Sequence, residues 1–164
     1  MNSTLKQQPN GDWNAVPPVP AEKINNVNCH KFVLYSIGQI SWDELISDPK
    51  EQKIASLDFT YNDKAEEISD LPFTHVEDFE ALISFANSSC VSERRYVGQI
   101  QDSKTYEMAH SFIIVRNSTG DFVCYDKPGF KYPFAVHGLS EIYNFVNKDG
   151  EKSNQNQNWR FVPI

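Results

Sequence analysis

Residues 109–126 of the chain read AHSFIIVRNSTGDFVCYD, and this stretch contains two apolar runs separated by turn-forming residues. β-Branched and aromatic side chains dominate the runs His110 to Arg116 and Asp121 to Tyr125, as they do in strands. The residues between the runs are typical of a tight turn: Asn117, Ser118, Thr119 and Gly120. The pattern therefore predicts an antiparallel β-hairpin.

The register of this hairpin decides which polar side chains meet at its open end. If residues 117–119 form a three-residue loop with Gly120 as a left-handed bulge, His110 pairs with Asp126 and both lie on one face. A two- or four-residue loop would instead pair His110 with Lys127 and point Asp126 away. Gly120 suits the bulge, but spacing leaves the register open.

Further strands are predicted on both sides of the hairpin. Arg95 to Ile100 has strand composition, and Trp159 to Pro163 is interpreted as an edge strand that follows a polar loop, Lys148 to Asn158. Between the hairpin and that loop, apolar residues at helical spacing predict a short amphipathic helix: Leu139, Ile142, Tyr143 and Val146.

Short helices are predicted ahead of this sheet. Cys29 to Ile37 lacks Gly and Pro, with Asn28 as a good N-cap and Gly38 as a C-terminal glycine. The pairs Ser41 with Glu44 and Thr74 with Glu77 have capping-box spacing and predict two helix starts.

Apolar residues recur at helical spacing after the second of these starts: Phe79, Leu82, Ile83 and Ala86. The charged segment Asp48 to Asp70 is interpreted as surface loop and broken helix. Helices that precede a sheet indicate an α+β fold, with N-terminal helices packed on an antiparallel β-sheet.

The length of 164 residues is typical of one compact domain, or of one domain with a flexible arm. Residues 1–20 are polar and end in Pro17, Pro18 and Pro20, which favours an extended lead-in arm. We expect the domain to occupy residues 21–164.

Charge and hydropathy exclude several classes of function. The formal net charge of −7 repels phosphate backbones, so nucleic acid is not an expected partner. No apolar run approaches the roughly 20 residues of a membrane span, and no cleavable signal peptide is visible. We expect a soluble protein, either cytoplasmic or secreted without such a signal.

The three cysteines, Cys29, Cys90 and Cys124, are too few and too scattered for a disulfide framework. Cys124 is interpreted as a core residue and Cys90 as an incidental loop residue. No paired short spacing of Cys or His indicates a metal site, and neither a metal nor another cofactor is expected.

Cys29 differs from the other two because a helix N-terminus stabilises the thiolate, the nucleophilic form of cysteine. A lone cysteine on an apolar helix stripe is more often a small buried hydrophobe. A nucleophile also needs a base and a group that orients the base. His110 opens a buried strand and Asp126 ends the next, whereas His30 adjoins the cysteine on diverging helix positions. His75 and His137 have no obvious rigid support.

These residues resemble the papain-like cysteine hydrolases of NlpC/P60 type over about residues 26–130. The matching motifs are N-C-H-x-F-x-x-Y at 28–35, A-H-S-F-I-I at 109–114, and H-x5-R-x3-G-x-F-x3-D-K-P-G at 110–129. The common D-C-S-G-F context of the nucleophile reads N-C-H-K-F here. The resemblance implies a papain-like fold in which Cys29 attacks an amide or ester carbonyl, His110 shuttles the proton and Asp126 orients the imidazole.

An oxyanion site requires two donors. The backbone N–H of Cys29 is one candidate, and Asn26 and Asn28 are candidates for the second. The aromatic residues that are candidates for lining a substrate groove are Trp13, Tyr125, Phe130 and Tyr132.

The expected partner is a peptide, a peptidoglycan fragment or a protein substrate, with hydrolysis of an amide as the favoured reaction. Because the same triad also deamidates glutamine or transfers acyl groups, a bacterial effector acting on a host or rival protein is an alternative. A non-catalytic binding module on the same scaffold is a third interpretation. The sequence does not indicate an oligomeric state.

Overall fold

The computed structural model describes residues 5–15, 27, 29–46, 72–90, 95–104, 106, 108–127, 135–153 and 157–164. The helices in these ranges are α1 (Cys29–Ser36), α2 (Trp42–Leu45), α3 (Phe79–Ser89) and α4 (Leu139–Ser153). The strands are β1 (Leu5–Gln7), β2 (Trp13–Ala15), β3 (Thr74–Val76), β4 (Arg95–Asp102), β5 (Met108–Arg116), β6 (Phe122–Asp126), β7 (Ala135–Gly138) and β8 (Gln157–Pro163).

A six-stranded antiparallel sheet is the centre of the fold, with strand order β3-β8-β4-β5-β6-β7. The α+β class predicted from the sequence is confirmed, as is the hairpin made by β5 and β6. Helix α1 packs on one face of the sheet through Val33, against Val97 and Ile113. Helices α3 and α4 cover the opposite face.

The apolar run in β5 is explained by burial on both faces. Ile113 and Val115 belong to the α1 side, whereas Phe112 and Ile114 belong to the side of α3 and α4. All four side chains are buried, and a strand of this kind is apolar at every position instead of alternating. The run is therefore continuous in the sequence.

Gly98 allows strands β4 and β5 to carry a large ring at their interface. It lies opposite Phe112, and a Cβ atom at Gly98 would stand 2.3 Å from Cζ of that ring. The ring lies over the glycine and stacks on His110, with 5.8 Å between ring centroids. The absence of a side chain at Gly98 therefore supports the position of His110.

The hairpin register differs from the one predicted. Arg116 pairs with Phe122 instead of Gly120, and the N–H of Asn117 donates to the carbonyl of Asp121 at 2.9 Å. The turn therefore takes in residues 118–120, with Gly120 at a φ of 89°. The predicted pairing of His110 with Asp126 is wrong by two residues, and the register places Phe112 opposite Asp126.

Helix boundaries follow the caps that the side chains make. The capping box of Ser41 and Glu44 is confirmed at α2. Thr74 does not start a helix, because residues 74–76 form β3 beside β8. Asp78 caps α3 instead, and its carboxylate accepts from the N–H of Ala81 at 2.7 Å.

Two predictions for the carboxyl end are wrong. Helix α4 continues to Ser153 through residues predicted as loop, because Lys148, Glu151 and Lys152 have good helix propensity. Strand β8 lies between β3 and β4 and is not an edge strand. Its residues are buried on both sides, Trp159 and Phe161 with α3 and α4, and Val162 on the face of α1.

Part of the predicted lead-in arm is ordered into a hairpin. Strands β1 and β2 pair in antiparallel fashion, and Asp12 between them accepts hydrogen bonds from the backbone N–H and the hydroxyl of Ser118. The extended-arm prediction is therefore wrong for residues 5–15. The prolines at 17, 18 and 20 and the segment Asp48 to Asp70 lie outside the described residues. No helix in the described ranges is long and apolar enough to cross a membrane.

Candidate active site

Cys29 is the first residue of α1, and its side chain is only 7% exposed. The backbone N–H groups of a first helical turn have no partner within the helix, so they favour negative charge at this end. Packing of Val33 and Phe32 holds the helix against its neighbours. The thiol is therefore fixed at the end of the helix that favours its anionic form.

His110 and Asp126 meet beside this helix end. The Nε2 atom of His110 lies 2.9 Å from Oδ2 of Asp126, and both side chains are buried. The observed register differs from the predicted one by an even number of residues, so both side chains still share a face. They meet as diagonal neighbours across the hairpin instead of as a direct pair.

Cys29 and His110 are joined by a side-chain hydrogen bond. Because Nε2 of His110 faces Asp126, Nδ1 is the ring nitrogen that remains for the sulfur. The structure thus brings Cys29, His110 and Asp126 into one hydrogen-bonded chain. Spacing in the sequence did not determine whether these three side chains meet.

The surroundings of Cys29 and His110 lower the pKa of the thiol and raise the pKa of the imidazole. Burial raises the pKa of the Cys29 thiol, but hydrogen bonds from His110 and His30, together with the positive charge of His110, outweigh it and place that pKa well below the usual value. Burial lowers the pKa of His110, but Asp126 and the Cys29 thiolate raise it to about 9. Between the two values, Cys29 is a thiolate and His110 an imidazolium.

His30 also contacts the thiol, although the side chains of adjacent helical residues normally diverge. It is hydrogen-bonded to Cys29, and its Nδ1 atom lies 2.7 Å from Oγ of Ser111 on β5. The side chain is buried between α1 and the sheet. Two imidazoles therefore flank one sulfur, and no residue spacing in the sequence indicates this.

His137 is a second histidine that contacts the carboxylate of Asp126. It lies on β7, and its Nε2 atom is 3.0 Å from Oδ1 of Asp126, at ion-pair distance without the alignment of a hydrogen bond. Its Nδ1 atom lies 2.8 Å from Glu141 on the first turn of α4. The strand and the helix hold the ring, so the expectation that it lacks rigid support is wrong.

Lys127 follows Asp126, and the chain buries its side chain completely. Burial lowers the pKa of Lys127, and the nearby negative charge of the Cys29 thiolate acts in the opposite direction. In the sequence, Lys127 stands out only as part of the D-K-P-G motif at 126–129. Its place depends on the register, because continuing the β5–β6 pairing beyond Tyr125 puts Lys127 opposite Ser111, on the face of α1.

The other two cysteines are core residues. Cys124 is fully buried, and burial together with the negative charge of Asp126 raises its pKa well above the usual value. Cys90 ends α3 and is fully buried too, and burial raises its pKa to about 12. Cys124 is confirmed as core, but Cys90 is not an incidental loop residue because the end of α3 packs it into the same cluster.

The candidates for oxyanion and groove residues divide into packed residues and residues outside the described ranges. Tyr125 is buried in the cluster between α1 and the sheet. Trp13 packs on the same cluster, with the guanidinium of Arg95 3.8 Å from its ring centroid. Substrate contact by Trp13 stays a prediction. The candidates outside the described residues are Asn26, Asn28, Phe130 and Tyr132.

No protein-family model, curated protein or solved structure matches this chain. Within the ranges that the structure describes, no group of three or more His, Cys, Asp or Glu side chains is arranged to hold a metal ion.

Proposed function

We propose that this protein is a cysteine-dependent amide hydrolase with a papain-like fold of the NlpC/P60 type. One observation carries the proposal: a buried thiol at a helix N-terminus is hydrogen-bonded to a histidine whose other nitrogen binds a buried carboxylate. In that arrangement Cys29 is the nucleophile, His110 the general acid and base, and Asp126 the group that orients the imidazole. The order along the chain matches the motifs that resemble this family.

Acylation begins when the Cys29 thiolate attacks the carbonyl carbon of the substrate. The carbonyl oxygen takes up the negative charge, and the backbone N–H of Cys29 at the start of α1 is a donor for it. The tetrahedral intermediate collapses as the His110 imidazolium gives its proton to the leaving nitrogen. An amine or ammonia leaves, and a thioester on Cys29 remains.

Deacylation reverses the role of His110. The neutral imidazole takes a proton from water as the water oxygen attacks the thioester, and the thiolate leaves as the carboxylic acid product forms. Asp126 keeps the ring in the tautomer that carries a proton on Nε2 throughout. If an amine replaces water in this step, the same residues transfer the acyl group instead of hydrolysing it.

The test is a screen of the purified protein for Cys29-dependent cleavage, with peptidoglycan stem peptides in one arm and glutamine-bearing proteins in the other. Free amino groups report peptide hydrolysis, and ammonia release reports deamidation. Mass spectrometry of the protein during turnover detects the thioester on Cys29. The expected result is product formation by the native chain and none by Cys29→Ala.

Cys90→Ala is the matched control, because it removes a buried thiol that lies in the opposite core cluster. Product formation that survives Cys29→Ala would refute the triad. Binding of a substrate without any turnover or thioester would favour the non-catalytic module. Transfer to an added amine, with little release to water, would identify an acyltransferase.

A further inference from the structure

A row of buried polar side chains crosses the sheet beneath the candidate site. Arg160 on β8 pairs in register with Gln99 on β4, and Gln99 pairs with Ser111 on β5. His30 reaches the end of this row from α1. All four side chains are buried, and a buried guanidinium is costly unless its donors are used.

The hydrogen bonds along this row run in one direction. The guanidinium of Arg160 has donors only, and its Nε and Nη2 atoms lie 2.8 and 2.5 Å from Oε1 of Gln99. This contact orients the amide, so Nε2 of Gln99 faces Ser111 and donates to its Oγ at 3.3 Å. Because Arg160 donates to the oxygen of Gln99, the nitrogen of that amide is the atom that donates to Ser111.

Ser111 connects Gln99 to His30 through its hydroxyl group. Its Oγ accepts from Gln99, and among the described residues the acceptor within reach of its own hydrogen is Nδ1 of His30, at 2.7 Å. An Nδ1 atom that accepts carries no proton, so the ring proton lies on Nε2. The other hydrogen bond of His30 is the one to the Cys29 thiol.

We infer that the row from Arg160 through Gln99 and Ser111 fixes His30 in its Nε2–H tautomer, as a permanent hydrogen-bond donor to the Cys29 sulfur. This inference rests on the proposed hydrolase function and assigns its two imidazoles different tasks. His110 faces a carboxylate and moves the proton, whereas His30 faces a neutral hydroxyl and holds the sulfur in its anionic form. The row acts through His30, so Ser111, Gln99 and Arg160 are positioning residues.

The experiment follows the thiolate of Cys29 and needs no substrate. The rate of Cys29 alkylation by iodoacetamide is measured from pH 4 to 9 in the native chain, His30→Leu, His30→Gln and Ser111→Ala. Ser36→Ala is the matched control, because Ser36 is a buried serine on α1 whose hydroxyl donates to the carbonyl of Phe32. His110 and Lys127, which also face the thiol, are unchanged in every variant.

We expect His30→Leu to lower the alkylation rate on the acid limb about tenfold, the effect of losing one hydrogen bond to a charged group. His30→Gln keeps a donor near the Nε2 position and should restore most of the rate. Ser111→Ala should give an intermediate loss, because the ring is then free to move its proton to Nδ1. Ser36→Ala should match the native profile.

Nitrogen NMR of the native chain tests the tautomer without any substitution and should show the proton of His30 on Nε2 at neutral pH. An Nδ1–H tautomer or a doubly protonated ring there would overturn the inference, as would an unchanged profile in His30→Leu. Those results leave the hydrolase proposal standing. An ordinary thiol titration of Cys29 in the native chain would instead refute the hydrolase proposal itself.

Discussion

Cys29 and Cys124 are both buried, yet their surroundings move the pKa of each thiol in opposite directions. Cys29 is 7% exposed and faces two imidazoles, which lower its pKa against the effect of burial. Cys124 is 0% exposed and faces Asp126 and other negative groups, which add to the effect of burial. Burial alone therefore does not predict the state of a thiol in this protein, because the charge of its partners decides it.

Asp126 acts on both cysteines with one carboxylate. Through His110 it supports the imidazolium that stabilises the Cys29 thiolate, and directly it opposes a negative charge on Cys124. One thiol lies at the start of α1 and the other in the middle of β6. The same carboxylate therefore supports the positive charge beside one thiol and opposes a negative charge on the other.

The largest effect is expected when each thiol is removed in turn. Cys29→Ala should reduce amide hydrolysis at least about a thousandfold, because the reaction loses its nucleophile. Cys124→Ala should retain activity and lower the free energy of unfolding by about 1 kcal/mol through lost packing. The rate of hydrolysis and the free energy of unfolding in denaturant are measured for both variants. Equal loss of activity in the two would contradict it.

Alkylation of the native protein should separate the thiols by about a hundredfold in rate at pH 6.5, since the rate follows the thiolate fraction and access to the sulfur. Iodoacetamide should label Cys29 first, and should label Cys90 and Cys124 about a hundredfold more slowly until the protein is denatured. Peptide mapping by mass spectrometry assigns the label. Uniform slow labelling of all three would show that Cys29 is not activated.

The pH profile of hydrolysis should be bell-shaped. Activity should rise with pH as Cys29 loses its proton, and fall through about pH 9 as His110 loses its own. Asp126→Asn removes a charge that raises the pKa of His110, so the alkaline limb should move to lower pH, with about tenfold less activity at pH 8.5. An alkaline limb that does not move would show that Asp126 has no influence on His110.

The smallest effect on activity is expected from the contact between His137 and Oδ1 of Asp126. His137→Gln keeps a polar side chain beside Oδ1 but removes the ionisable ring, and should lower activity about two- to fivefold. Glu141→Gln, which touches only the far side of that ring, should change it less. Steady-state kinetics on both variants provides the measurement. A loss as large as that of Cys29→Ala would place His137 among the groups that take part in the reaction.

Elements with one dominant local signal were predictable. The capping box of α2, the apolar spacing of α3 and the hairpin of β5 and β6 depend on neighbours in the sequence, and the structure has each of them. Thr74 was misassigned because a capping-box spacing also occurs in a strand, and pairing with β8 outweighed it. The interior position of β8 depends on partners far away in the chain, which periodicity does not reveal.

The residues of the candidate site likewise include some that the local sequence predicts and others that only the folded sheet brings together. Residue types and their order along the chain were enough to select Cys29, His110 and Asp126, because helix ends and strand parity are local properties. The contacts of His30 and His137 needed the packed sheet, since Ser111 lies 81 residues from His30 along the chain and the pairing of β6 with β7 brings His137 beside Asp126. Residues adjacent on a helix normally diverge, and only the sheet beneath α1 brings His30 to the same sulfur.

The order of residues along this chain is therefore sufficient to predict that α1, α2, α3 and the β5–β6 hairpin exist, and to select the chemical identity of the three candidate catalytic groups. Their charge states arise only when the sheet closes, because pKa values depend on burial and on charges a few ångströms away in space. Cys29 and Cys124 have the same side chain, and the folded neighbours of each one make them different.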